Sequence, residues 1–390
     1  MGSMTIELLA PEAAEQRREV VALARDFAQR ELAPHSAEWD RAKSFPREVL
    51  TKLGELGFLG MRIPEEYDGL GLDPLTYLMV LEEIAAADAS VSIAVGVHNS
   101  LGCGMVLRQG SEAQRRRWLP EMATGRVLGA FALSEPDAGS DAASLRTQAV
   151  RDGDGWVLNG TKSWVTSGDM AGLLLVMART DTPEQRRGSR GISAFLIPGG
   201  VGGIEHGKPE DKMGLRASRT TGFVLHDVRV GPDALLGEEG RGLHYALEAL
   251  AHGRMGVAAQ AIGIGRSALE LSVKYAAERQ QFGRPIKDFQ AIQFKLADMA
   301  TRVAAARALL HETASQELSG PGGAARAAMA KLFASEAATW VTTQAVQVFG
   351  GYGYMRDYPV ERLFRDAKVT EIYEGTSEIQ RLVIARGLQA

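Results

Sequence analysis

The short β-branched and aliphatic runs of this sequence are gathered in its middle, and that segregation constrains the possible folds more than any other feature. GWVLNGTKSWVTSG, AGLLLVMART, GISAFLIPGG and TTGFVLHDVRV, each bounded by glycine, all lie between residues 131 and 240. Upstream, REVVALARDFAQREL and PREVLTKLGELGFLG repeat apolar residues at helical spacing, with a break at IPEEYDGLGLDP. Downstream, GRSALELSVKYAAERQQF, AIQFKLADMATRVAAARALLHETASQEL and AARAAMAKLFASEAATWVTTQAVQVF read as long helices separated by SGPGG and GGYGY. Strands that do not alternate with helices argue against a doubly wound sheet. The expected fold is α+β, mainly α, with an all-α domain over 4–130, a β domain over 131–240 and a helical bundle over 241–390. Within the β region, Asn159-Gly160 between two strand-like runs predicts a hairpin turn. Met1-Gly2-Ser3, ahead of Met4, reads as a cloning remnant and is left out of that fold.

A chain of 390 residues, 45% hydrophobic, is long enough to bury a core in each of these parts. Lys+Arg 44 against Asp+Glu 48 gives a formal charge of −4, so no global field draws nucleic acid or an anionic membrane. The run Arg115-Arg116-Arg117 reads as a solvated helix face. The single cysteine, Cys103, excludes an intrachain disulfide and thiolate-based metal clusters. No stretch reaches about 18 apolar residues, and MGSMTIELLAPEAAEQRREV has neither secretory nor transit character, so a cytoplasmic bacterial protein is expected. Gly263-x-Gly265-x-x-Ala268 has the outline of a dinucleotide fingerprint, but that motif follows a strand and the flank GRMGVAAQAI is small-residue helix. Close helix packing explains those glycines better. A di-iron bundle needs Glu-x-x-His pairs, and none of the 7 histidines has a glutamate in that place.

Several irregular segments carry candidate chemistry. FALSEPDAGSD (131–141) places Ser134, Gly139, Ser140 and turn N–H groups where a polar anion would fit, although a plain linker reads the same way. In TKSWVTSG (161–168), Trp164 alternates with Thr166, which puts both on one strand face; a core tryptophan would show the same pattern. ERQQFGRPI (278–286) and QVFGGYGYMRDYPVERLFRD (347–366) each follow a long helix with Arg, Phe and Gly, as a site or as a cap. In IYEGTSEIQR (372–381), Thr376-Ser377-x-Ile379 looks like a fresh N-cap, leaving Glu374 on a loop as a catalytic carboxylate or a helix-dipole partner.

In this order and spacing the segments resemble the acyl-CoA dehydrogenase family over residues 14–390, most closely its short-chain, butyryl-type members. Ala132-Leu133-Ser134-Glu135-x-x-Ala138-Gly139-Ser140-Asp141 resembles one family signature, and Gln347-x-x-Gly350-Gly351-x-Gly353-Tyr354-x-x-Asp357 with Arg362 and Asp366 a second. IPEEYDGLGL resembles a third, with Asp68 where a glycine is usual.

The resemblance implies an N-terminal helical domain, a central β-barrel-like domain and a C-terminal four-helix bundle, with FAD between them in a homotetramer, a dimer of dimers. It places Leu133 and Ser134 at the flavin ring, Ser140 at the pyrophosphate, and Trp164 and Thr166 on the ring's other side, with Phe131 and Gly139 in the same cofactor set. Arg279, Phe282, Gln347, Gly350 and Gly351 would hold the FAD of a neighbouring subunit, and Thr376 and Glu378 would lie near the nucleotide. Glu374 is implied as the base, and Ile93, Val97, Ser140, Arg254, Tyr373 and Gly375 as substrate-side residues. Ser92 stands where glutaryl-specific members carry arginine, and Gly253 where some branched- and long-chain members carry the base. The implied reaction is α,β-dehydrogenation of a short-to-medium acyl-CoA to trans-2-enoyl-CoA, with an electron-transferring flavoprotein as acceptor. An acyl-CoA oxidase or flavin-dependent monooxygenase on the same scaffold is the alternative.

Overall fold

A computed structural model of the chain describes residues 11–182, 188–316, 318 and 320–389; the expected domain start at residue 4 and Met1-Gly2-Ser3 lie outside them. Ahead of the first strand come α1 (Pro11–Phe27), α2 (Ser36–Ala42), α3 (Arg47–Glu55), α4 (Pro74–Ala87), α5 (Ala89–Val97), α6 (Gly104–Gln109) and α7 (Glu112–Ala123). Several of these start where their own caps dictate. Asp73 accepts the Leu75 and Thr76 N–H groups, with Pro74 in the first turn of α4, and Asp88 accepts the Val91 N–H at the start of α5. Ser111 and Gln114 form a capping box on α7. α5 runs through a π-helical segment, His98–Cys103, into α6. The whole of Ala89–Gln109 is long and apolar enough to cross a membrane, yet 94% of its most apolar window is buried inside the protein, as in a core helix.

The middle holds β1 (Gly129–Ala132), β2 (Gln148–Asp152), β3 (Gly155–Thr166), β4 (Leu173–Arg179), β5 (Ile192–Pro198), β6 (Ile204–His206), β7 (Thr220–Val230) and β8 (Leu235–Leu236). They form one sheet in the order β6-β7-β3-β2-β4-β5-β8, with β1 parallel alongside β4. The sheet curls around its own core. Leu174, Val176 and Ala178 of β4 join Trp156, Phe195 and Phe223 inside the curl, whereas the alternate Leu173, Leu175 and Met177 join the helical core. The expected turn at Asn159-Gly160 is not a turn. β2 and β3 turn at Gly153 (φ +63°), and Asn159-Gly160 lies inside β3 at a register irregularity against β7. A Cβ on Gly160 would come 2.4 Å from Thr147 Oγ1, so glycine is required by a close neighbour.

The last third comprises α8 (Gly242–Glu278), a small hairpin of β9 (Gln280–Gln281) and β10 (Arg284–Pro285), then α9 (Gln290–Ala314), α10 (Gly320–Phe349), α11 (Val360–Val369) and α12 (Ser377–Gly387). α8 and α10 pack along each other, α9 and α12 lie against α10, and α8 reaches back to α4 and α5. At that crossing a Cβ on Gly263 would meet the Glu82 carbonyl oxygen of α4 at 2.5 Å. The glycine-rich stretch of α8 thus serves helix packing, as its flanks suggest.

Candidate active site

The turn between α11 and α12 carries the carboxylate that the sequence singles out. α11 stops at Val369, and the Thr376 hydroxyl accepts the Ile379 N–H at 3.4 Å to open α12. Between them Glu374 (φ +53°) and Gly375 (φ +98°) form a left-handed pair, which costs a non-glycine residue about 1–2 kcal/mol. Side chains from three helices hold it. Lys331 of α10 donates to the Gly375 carbonyl at 2.8 Å, and Gln380 of α12 donates to the same oxygen at 2.7 Å and to the Glu374 carbonyl at 3.2 Å. Tyr373 donates its hydroxyl to Gln260 Oε1 on α8, and Gln260 Nε2 donates to the Ala89 carbonyl at 2.7 Å.

The Glu374 side chain lies against Gly253 of α8, and its Oε2 is buried without a hydrogen-bond partner. Burial pushes this carboxyl up to about 7, while Lys331 and Arg254 pull it back. Arg254 is buried with Nε unpartnered; burial lowers its pKa and Glu374 opposes the change. Burial likewise brings the Lys331 ammonium down to about 8, against the pull of Glu374. A carboxylate balanced by two cations, with a free oxygen and a pKa near neutrality, is equipped to take a proton.

Ile93 and Val97 are buried on α5, on the stripe that continues to Leu101, whose Cδ2 is 3.1 Å from where a Gly253 Cβ would stand. The Ser92 hydroxyl is spent on the Leu81 carbonyl at 3.2 Å.

A second group of expected residues gathers where β1 and β3 end. Leu133 is buried, Phe131 and Ser134 are half-buried, and the Ser134 carbonyl accepts the Ser163 N–H of β3 at 2.9 Å. Glu135 locks this segment by accepting from Arg146 N–H at 2.6 Å, Thr147 N–H at 2.9 Å and Lys162 Nζ at 2.8 Å. Lys162, fully buried, also donates to the Leu133 carbonyl at 3.1 Å. Gly139 and Ser140 are left exposed beyond the Glu135–Ala138 turn. Trp164 and Thr166 both leave the buried interior, but not by the uninterrupted alternation the sequence suggests. β3 shifts register against β7 between Lys162 and Val165, both buried, and Trp164 sits at φ +61° with 65% of its surface exposed. A bare indole beside a half-buried Thr166 and exposed turn amides makes a shelf that fits a flat heteroaromatic ring and an anionic tail.

A third group stands apart. Arg279, Gly350 and Gly351 line one open cavity of about 630 Å³ with Tyr275, Phe349 and Tyr352. Gln347 is exposed near the end of α10, and Phe282, 94% exposed at φ +53°, tips the β9–β10 hairpin. At the start of α12 Glu378 is exposed and Ser377 Oγ is buried without a partner. Sequence reasoning missed Lys331, Gln260, Gln380 and Lys162. The signal available was a lone lysine among alanines in AAMAKLFASEAA, and a lysine inside the strand run TKSWVT.

Three family models match the chain in order: acyl-CoA dehydrogenase N-terminal domain over residues 14–126, middle domain over 130–228 and C-terminal domain over 240–389. The chain is 48% identical over 361 residues to the mitochondrial short-chain specific acyl-CoA dehydrogenase of Mus musculus, spanning 93% of this chain and 87% of that protein. It is 47% identical over 366 residues to an acyl-CoA dehydrogenase of Bacillus subtilis (strain 168), spanning 94% and 96%. The fold matches that of butyryl-CoA dehydrogenase from Megasphaera elsdenii with a TM-score of 0.94 at 41% identity, over 99% and 100% of the two chains. The chain belongs to the acyl-CoA dehydrogenase family of flavoprotein oxidoreductases.

Proposed function

We propose that the enzyme uses FAD to dehydrogenate a short-to-medium, uncharged acyl-CoA to its trans-2-enoyl-CoA, with Glu374 removing the α-proton. The observation that carries this reading is the Glu374 carboxylate itself, with Oε2 buried and unpartnered beside Gly253. Phe131, Leu133 and Ser134 on one side and Trp164 with Thr166 on the other would hold the flavin, and Gly139 and Ser140 its phosphates. When bound, FAD supplies at N5 the acceptor for the β-hydrogen as hydride.

The Glu374 N–H makes no backbone hydrogen bond among the described residues, so it is free to hold the thioester oxygen and stabilise charge that develops there. Arg254 and Lys331 favour the ionised carboxylate against the burial that opposes it, and Tyr373 and Gly375 fix its approach. Ile93 and Val97 offer an apolar floor, and Ser92, whose hydroxyl is held by the Leu81 carbonyl, stands there in place of a cation that would recruit an acyl carboxylate. Arg279, Phe282, Gln347, Gly350 and Gly351, with Thr376 and Glu378, complete an FAD site shared between subunits of a homotetramer. Electrons would pass to an electron-transferring flavoprotein, in the bacterial cytoplasm.

Anaerobic stopped-flow at the flavin band tests the base. Glu374→Gln should keep the yellow complex and slow flavin reduction by about 10²–10⁴-fold; reduction at the wild-type rate sinks the assignment. Activity across straight and branched acyl-CoAs with an artificial acceptor tests the pocket, and best activity on glutaryl-CoA would contradict the Ser92 reading. Fast turnover on oxygen alone would favour an acyl-CoA oxidase or flavin-dependent monooxygenase.

A further inference from the structure

We propose that Lys331 is a positioning residue for the base: through the Gly375 carbonyl its ammonium fixes the left-handed Glu374–Gly375 turn, and its charge favours the ionised carboxylate. This rests on Glu374 being the base. Lys331 stands in the middle of α10 with 0% of its surface exposed, and its donation to Gly375 O is 2.8 Å long. A buried ammonium is costly unless its charge and donors are met, so retaining one beside the turn calls for a role. Gly375 O accepts from both Lys331 and Gln380, which uses both of its lone pairs and makes that carbonyl the fixed point of the turn.

The other charged or titratable groups around the pair come from every side. Arg254 faces them from α8, Tyr77 from α4, Glu371 and Tyr373 from the turn and Glu378 from α12. Gln380 binds the turn without a charge, and Arg254 brings a charge but leaves its Nε unpartnered. Lys331 joins the two functions, a positive charge and a hydrogen bond to the turn's backbone. Removing it takes away a cation that favours the carboxylate, so the Glu374 pKa must rise. Loss of the tether adds a fall in rate at every pH.

The test uses the FAD-loaded enzyme and acetyl-CoA, which has α-hydrogens but no β-hydrogen to lose. In D₂O the base takes an α-proton and returns a deuteron, so NMR of the exchange reads the base without oxidation. Flavin reduction by butyryl-CoA is followed over the same pH range. Lys331→Met should retain FAD, move the midpoint of both profiles up by about one pH unit or more, and slow exchange at neutral pH at least about tenfold. Lys331→Arg should stay near the wild-type midpoint. A wild-type midpoint and rate in Lys331→Met would overturn the proposal. If Lys331→Met does not fold, Lys331→Gln, a neutral donor, decides in its place: a raised midpoint supports the proposal and an unchanged one overturns it. Glu374→Gln run in parallel separates the two ideas. Full exchange in that variant removes Glu374 as base, whereas lost exchange there with an unshifted Lys331 variant removes the Lys331 role alone.

Discussion

Gly253 and Glu374 meet so closely that a Cβ on residue 253 would lie 2.2 Å from Glu374 Oε2 and 2.9 Å from its Cδ. The missing side chain is what makes room for the carboxylate. Gly253→Ala should therefore retain FAD yet displace the base by about 1 Å, with a loss of about 100-fold in flavin reduction. The same contact means that a carboxylate grown from residue 253 would reach nearly the same place. Gly253→Glu in a Glu374→Gly background should regain part of the rate, and no gain over Glu374→Gly alone would contradict that geometry.

As the proposed base Glu374 can act only when ionised, and its carboxyl is pushed up to about 7. The rate of flavin reduction in the free enzyme's substrate-limited regime should rise with pH through a midpoint near 7, falling about tenfold per unit below it. A flat profile between about pH 5 and 8 would rule this out.

Asp366 on α11 accepts the Leu215 N–H at 2.6 Å and is pushed by burial up to about 7 from an ordinary 3.8, with Arg362 opposing. The folded chain thus binds this proton more tightly than the unfolded one. The resulting stability is present below about pH 4 and is lost as pH rises through about 7. Asp366→Asn keeps an acceptor and removes the titration, so it should gain on wild type by roughly 2–4 kcal/mol between about pH 4 and 8. Denaturant midpoints across that range check it; a constant offset would refute it.

The cluster of Arg279, Gly350 and Gly351 around an open cavity, with Phe282 bare beside it, is expected to be completed by a second subunit's FAD. Arg279→Ala should lower flavin content and weaken assembly together, since a ligand bridging subunits stabilises both. Sedimentation and absorbance on one sample decide it: full FAD in a dissociated monomer would exclude a shared site.

Lys162 and Glu135 are paired at 2.8 Å in the sheet with side chains 0% and 6% exposed. Lys162→Met strands the carboxylate and should cost about 3–5 kcal/mol while loosening FAD. Adding Glu135→Gln should recover part of the loss, as thermal unfolding of the double variant would show.

The α, β, α order was legible because periodicity and glycine spacing are local properties, and so was the break at Tyr373-Glu374-Gly375-Thr376. Asn159-Gly160 misled because a strand passing near Thr147 demands glycine just as a turn does. The bulge at Trp164 leaves no mark in composition, since one extra residue on a strand only shifts which face the later ones take. Lys331 stood out only as a lysine among alanines and Gln260 not at all, because they act on partners 44 and 113 positions away. Nothing in their immediate neighbourhood specifies that contact.

With Glu374 as the proposed base, its left-handed conformation sets backbone strain against the proposed role at a single residue. At φ +53° a glycine would relieve about 1 kcal/mol of backbone strain and would also remove a buried oxygen that has no partner. Glu374→Gly would relieve that strain but leave the buried cations Lys331 and Arg254 without the carboxylate between them, so the strain and the charge balance pull stability in opposite directions at this one position. If Glu374 is the base, the strained turn and the buried cations beside it are kept for turnover, and stability is better sought elsewhere in the chain.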